Sequence, residues 1–296
     1  MRRILRLIKA TFSQWQKDQA SLMAAALAYY TVFSLAPLLI IVIAIAGAVF
    51  GEQAAQGELV RQIQEVVGKD AAEFIQVAIE NTSNIEPDGG IFPTLLNIGI
   101  LLFGATIVFA QLQTSLNKIW EVKLKPGNSI KLFLRKRILS FSMVLAVAFL
   151  LLVSLVVSAI LAIINNYFRD LIPGFSYLWE FLNFLISFGL AILLFAMVYK
   201  VLPDAKIAWQ DVGVGAIITA VLFEIGKALL GFYLGQMGVG SAYGAAGSLV
   251  VILTWVFYSA QILFLGAEFT KVYAKSYGKK IKPAHYAVRV SSNSNS

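Results

Sequence analysis

The 296-residue sequence contains no cysteine, which removes disulfides, thiolate metal sites and cysteine nucleophiles together and leaves the redox compartment unmarked. Histidine occurs once, at His285, in a polar tail ending SSNSNS where a solvated side chain is the ordinary reading. One histidine cannot build the multi-ligand centre of a hydrolytic metalloenzyme. The sequence also lacks G-x-x-x-x-G-K-[ST], G-x-S-x-G and H-E-x-x-H, so it has no phosphate-cradling loop, nucleophile elbow or zinc helix. These gaps predict no catalytic residue, no metal and no cofactor. Charge is scarce as well: 14% of residues are Asp, Glu, Lys or Arg, against about 25% in a soluble domain. Apolar residues make up 59%, and mean hydropathy is +0.78. A water-soluble fold of this length cannot hide that much apolar surface.

What the sequence does contain is long uncharged runs, at 19–51, 89–117, 138–168, 181–199 and 228–267. Each reaches the ~18 residues that mark a spanning helix. Backbone groups in hydrocarbon must be hydrogen-bonded within the segment, which leaves helices or a closed barrel, and these runs lack the alternation of barrel strands. The predicted fold is therefore all-α, a polytopic helical membrane protein. Six transmembrane helices are expected at about 22–50, 91–116, 138–164, 178–199, 212–234 and 245–269. The last long run is cut in two because Gly235, Gly238, Gly240 and Gly244 surround a polar GQMGVGSAYG turn.

An even number of spans puts both termini on one side, and the cations identify it. Five precede the first span, seven lie between spans two and three, two between spans four and five, and six in the tail. The opposite side holds only Arg61, Lys69 and Arg169. The positive-inside rule then predicts cytoplasmic termini. It also explains the net charge of +8 without a nucleic-acid partner. Residues 1–17 place Leu5, Ile8, Phe12 and Trp15 on one helical face and Arg2, Arg6 and Lys9 on another. That pattern fits an interfacial helix on anionic membrane lipids and equally fits a bare orientation signal. The first run, flanked by cations and lacking a cleavage site, reads as a retained anchor. Residues 18–273 form the membrane domain, and 274–296 read as a basic, polar, disordered cytoplasmic tail. The outer loop, 51–90, carries eight acids and two cations. Leu59, Ile63 and Val66 and then Phe74, Ile75, Ala78 and Ile79 keep helical spacing, predicting short amphipathic helices that could recruit an envelope protein partner; a solvated linker is the alternative.

The informative positions are polar residues at membrane depth. Glu224 and Lys227 are three apart in span five, so they share a face and can pair. At the centre of a lone helix each costs roughly 2.5–3.5 kcal/mol, which favours a face turned into the bundle or a watery cavity. Two readings stand for the pair: a helix-locking link, or part of a substrate or proton path. Thr254, Tyr258, Gln261 and Glu268 form a stripe down span six that either lines a cavity or bonds to a neighbouring helix. Span one adds Tyr30, Ser34 and Pro37, the last predicting a kink. Span two adds Gln111, Thr114 and Asn117. Gly231-x-x-x-Gly235 permits close helix contact.

Several segments carry a family resemblance: DQASLMAAALAYYTVFSLAPLL, the basic stretch from Trp120 through Arg135 and Arg137 to Ser140, LPDAKIAWQD, and above all SAYGAAGSLVVILTW followed by LGAEFT. Together they resemble the YihY/virulence factor BrkB family from about Asp18 to Tyr273. Phe269-Thr270 departs from the smaller or Asn-containing pair expected after Gly266-Ala267-Glu268. The resemblance implies a six-span bacterial inner-membrane protein, in a family associated with serum resistance and discussed in connection with envelope lipid transport. Some members carry a ribonuclease label, which this sequence argues against, since it lacks clustered His and Asp ligands. The leading expectation is a transporter or translocation protein for a lipidic or amphipathic envelope substrate. The alternative is a noncatalytic scaffold or envelope assembly factor.

Overall fold

The computed structural model describes residues 2–67, 91–125, 175–237 and 247–290, with scattered positions within 72–79 and 138–153. The expected third span, 138–164, falls mostly outside these residues. So do the turn between spans five and six and most of the second half of the outer loop.

Seven helices are described: α1 (Arg2–Lys17), α2 (Ala20–Phe50), α3 (Glu52–Val67), α4 (Ile91–Ile119), α5 (Phe175–Val201), α6 (Trp209–Met237) and α7 (Gly247–Ser276). Four short strands join them: β1 (Val122–Leu124) after α4, β2 (Ala205–Lys206) between α5 and α6, and β3 (Lys282–Pro283) and β4 (Ala287–Arg289) after α7. Among the described residues, five helices are long and apolar enough to cross a membrane, namely α2, α4, α5, α6 and α7. The protein is an all-α, polytopic membrane protein. Its outward faces are those of a chain solvated by hydrocarbon: Phe33, Phe103, Phe184, Ile225, Leu229 and Phe232 are each more than half exposed.

α2 runs unbroken through Pro37, although proline removes a backbone donor and crowds the carbonyl one turn earlier. The ring is accommodated by α4. Gly104 lies against it, and a Cβ at that position would come within 3.0 Å of Pro37 Cγ.

α7 packs on α6, α2 and α1, and α2 packs on α4. The α6–α7 crossing is reciprocal. Thr270 of α7 fills the space over Gly215 of α6, and Thr219 of α6 fills the space over Gly266 of α7, so a Cβ at either glycine would overlap the facing threonine hydroxyl. Each threonine hydroxyl donates to its own fourth preceding carbonyl, Gly215 O or Gly266 O, at 2.7 Å. Both donors are thus satisfied without competing for the partner helix. The close approach falls at this Gly-x-x-x-Thr pair; Gly231 has nothing within 4 Å of its added Cβ. Thr270, half of the departure from the family pattern, is therefore a packing residue.

One apolar core spans α2, α4, α5, α6 and α7 around Leu27, Phe109, Leu116, Tyr199, Val212 and Phe264. A second, around Leu39, Val42, Ile43 and Val251, is closed by Leu59 of α3 and by Ile75 and Ile79. The apolar period of the outer loop is used in this way as a cover.

Two boundaries differ from the sequence expectation. α7 extends to Ser276, about two turns beyond 269, because Thr270, Lys271, Val272 and Ala274 are buried. The stretch after 274 reads as a disordered tail, yet β3 pairs antiparallel with β2, and β4 with β1, through Arg289. Composition missed this because backbone hydrogen bonds to the α4 and α5 exits hold the segment, with Ala284 and Ala287 turned inward.

Candidate functional site

The structure brings Glu224 and Lys227 together. Lys227 Nζ lies 2.7 Å from Glu224 Oε2, within one helix. Glu224 is the sixteenth residue of α6, which places it about 22 Å along the axis from Trp209. The pair is not sealed, its side chains being 21% (Glu224) and 37% (Lys227) exposed. That departs from the expectation of a face turned into the bundle. An i,i+3 bridge satisfies both charges locally, so no neighbouring helix has to enclose them.

The span-six stripe does not act as one surface. Gln261 Nε2 donates to Ser21 Oγ of α2 at 3.1 Å. The Tyr258 ring covers Gly226 of α6, and Thr254 is half-buried. Glu268 is fully buried. In span one, Ser34 is buried with its hydroxyl unbonded, Tyr30 faces outward, and Pro37 sits on Gly104. Gln111 is half-buried on α4. Its neighbours Gln113 and Asn117 turn to Asp204 instead.

The densest polar assembly lies where α1, α4, β1, α7 and the tail converge, and most of it was not anticipated. Lys271 is 2% exposed. Its Nζ lies 2.8 Å from Asp18 Oδ2, 3.4 Å from Glu268 Oε2 and 3.4 Å from Glu121 Oε1, and donates to Gln14 Oε1 at 3.3 Å. Glu121 also takes Lys275 at 3.0 Å and Arg289 at 3.6 Å. Two backbone joints present these acids. Gln19, next to Asp18, and Glu121 itself are the positive-φ non-glycine residues of the described chain, a conformation that persists when surrounding contacts fix it. Glu121 is fixed from both sides, its N–H donating to Lys118 O and its carbonyl accepting from Val290 N. Burial pushes the Glu121 carboxyl up, but the hydrogen bond from Lys275 and the charges of Lys271 and Lys275 outweigh that and hold it below the ordinary value of 4.5.

A second clamp lies beside the first. Asp204, in the turn after α5, accepts from Asn117 Nδ2 at 2.7 Å and Gln113 Nε2 at 3.3 Å. Its own N–H donates to Asn117 Oδ1 at 2.8 Å, and its carbonyl accepts from Ala284 N at 3.0 Å. Asp211 at the start of α6 accepts from Lys279 N at 3.0 Å. Lys200 closes the same turn, donating to Ile207 O and lying 5.1 Å over the Trp209 ring. The Asp204 and Asp211 contacts join segments far apart in sequence. The signal available beforehand was the rarity of acids: Asp18, Glu121, Asp204 and Asp211 stand isolated among twenty cations, and each is a tie point.

Among the described residues no group of three or more His, Asp and Glu side chains is arranged to hold a metal ion.

The chain is 25% identical over 274 residues to a UPF0761 membrane protein of Acinetobacter baylyi, a match covering 92% of the chain and 63% of that relative. The chain therefore spans less than two thirds of that relative's length. To a UPF0761 membrane protein of Mannheimia succiniciproducens it is 27% identical, with 92% of each covered. To one of Pseudoalteromonas translucida it is 26% identical, covering 86% of the chain and 81% of the relative. No solved structure matches. The sequence model of the family described as virulence factor BrkB matches residues 11–290, from within α1 through the last strand. The match takes in both clamps and the α6–α7 crossing, and the chain belongs to the virulence factor BrkB family of integral membrane proteins.

Proposed function

We propose that this protein moves a lipidic or amphipathic envelope substrate across or along the bacterial inner membrane, with Glu224 and Lys227 as a polar step for its head group. The observation that carries this reading is the placement of the pair. Its two charges bridge each other within α6, so the bridge itself ties α6 to no second helix. Yet they are partly accessible at a depth where charge is expensive. A dipolar pair open to the side suits a head group bearing both charge signs while its chains stay in the lipid. The reaction is noncatalytic and needs no nucleic acid. With no phosphate-cradling loop in the sequence, the driving force is a gradient, a partner or the substrate's own distribution.

The two clamps support the topology read from the sequence. The start of α2, the exits of α4 and α5, the entry of α6 and the end of α7 all meet on one face. This face carries the excess of Lys and Arg, which supports reading it as cytoplasmic. This arrangement supports the sequence reading of six crossings with cytoplasmic termini, whose third span, 138–164, lies mostly outside the described residues.

A scaffold reading is favoured by one observation. The α7 stripe divides between neighbours, Gln261 going to α2 and Tyr258 to α6, as internal glue would. The two readings separate in proteoliposomes holding a fluorescent phospholipid analogue. Wild type is expected to accelerate its redistribution between leaflets, and the neutral Glu224→Gln/Lys227→Met variant to fall to the rate of empty vesicles while still folded. Wild type no faster than empty vesicles sinks the transport reading.

A further inference from the structure

Glu268 has no hydrogen-bond donor at either carboxylate oxygen, and none of it reaches solvent. Its cationic partner among the described residues, Lys271 Nζ at 3.4 Å, lies closer to Asp18. Charged groups face this cluster from every element packed there: Asp18 from the α1–α2 joint, Glu121 from the α4–β1 joint, Lys271 and Lys275 from α7, and Arg289 from β4. Acids and bases balance in number but not in position. Lys275 and Arg289, 43% and 54% exposed, address Glu121 at the rim. Inside, the Asp18 and Glu268 carboxylates, 16% and 0% exposed, share the single ammonium of Lys271.

Two carboxylates around one ammonium leave a surplus negative charge in a place closed to water, and such a charge is costly unless neutralised. A metal cation would need several oxygen ligands and would sit against the Lys271 ammonium. A proton needs neither space nor ligands.

We propose that Glu268 is a proton-binding site, with the Asp18 carboxylate as its neighbouring charge. One proton from the aqueous side is held as an O–H on Glu268, and no other bond changes. With the proton bound, the Asp18–Glu268–Lys271 set is neutral. Without it, the two carboxylates repel each other across Lys271. Asp18 immediately precedes the left-handed joint at Gln19, so the proton sets how firmly α1 is held to α7. The proposal stands apart from any transported substrate.

The test uses the full chain in lipid. Infrared difference spectra between acidic and alkaline films should show a deuterium-sensitive C=O band of a protonated carboxyl, lost in Glu268→Gln and displaced in Asp18→Asn. A band unchanged in both variants overturns the site. So does a pH response that sodium ions displace at constant pH, which would make the ligand a metal cation. Because Glu268→Gln could fail to fold, a second measurement stands beside it. Spin labels on cysteines introduced at Lys9 and Ser276 of the naturally cysteine-free chain report the α1–α7 distance. It should lengthen with rising pH in the wild-type background and stay constant in Asp18→Asn; equal pH dependence in both overturns the proposal.

Discussion

Gly266 of α7 lies directly beneath Thr219 of α6, so closely that a methyl group there would overlap the threonine hydroxyl and come within 2.6 Å of Tyr199 OH. Tyr199 has little room to give, since its hydroxyl donates to Leu263 O at 2.7 Å and its ring stands edge-on to Trp120. Overpacking of a filled interior costs about 1–3 kcal/mol. Gly266→Ala should lose that much stability in detergent melts, while Gly213→Ala, with nothing within 4 Å of the new Cβ, should not.

Lys271→Met removes the ammonium that Asp18, Glu121 and Glu268 share. Breaking one side of a buried ion pair costs about 3–5 kcal/mol. A large drop in thermal stability is expected, with increased protease access to α1. A variant as stable as wild type would mean that the cluster is not buried as described.

Glu224→Gln with Lys227→Met is expected to behave differently. An i,i+3 pair contributes only about 0.2–0.5 kcal/mol to its own helix, and this bridge lies wholly within α6. The double variant should melt within about 0.5 kcal/mol of wild type, as accessible substitutions do, whatever happens to lipid redistribution.

Glu121 gives a pH dependence to the clamped face. Its carboxyl is held below the ordinary 4.5 in the folded protein, so the unfolded chain binds the proton more readily. The stabilisation is then complete above the unfolded value and is lost as pH falls through the folded one. Melts between pH 6 and pH 3 should show a stability loss below about pH 4.5 that is smaller in Glu121→Gln. An identical loss in the variant would remove Glu121 from the account.

The absence of native cysteine makes sidedness directly testable. Pro87→Cys should react with a membrane-impermeant thiol reagent added to spheroplasts, and Ser291→Cys only after lysis. The reverse pattern overturns the topology.

The helices were legible because hydrocarbon imposes one rule on every residue of a span, and a run such as 19–51 displays it without reference to the rest of the chain. The Glu224–Lys227 bridge was legible for a similar reason: three residues of helix decide it. Its exposure was not, because that depends on which neighbours cover α6. Lys271 was counted only as a tail cation. Its partners Asp18 and Glu121 lie 253 and 150 residues away in sequence, a distance that periodicity cannot bridge. The β-pairing of 287–289 was hidden likewise, since main-chain bonds to 122–124 leave no mark on composition.

The 253-residue separation of Asp18 from Lys271 also orders the making of the protein. Of the described helices α1 leaves the ribosome first, and its partner sits on the last of them. Until α7 is made, Asp18, the Glu121 joint and the Asp204 turn all wait for strands and charges that do not yet exist. A chain arrested before α7 therefore leaves this face unlatched, and the segment from Lys271 to Arg289 closes it.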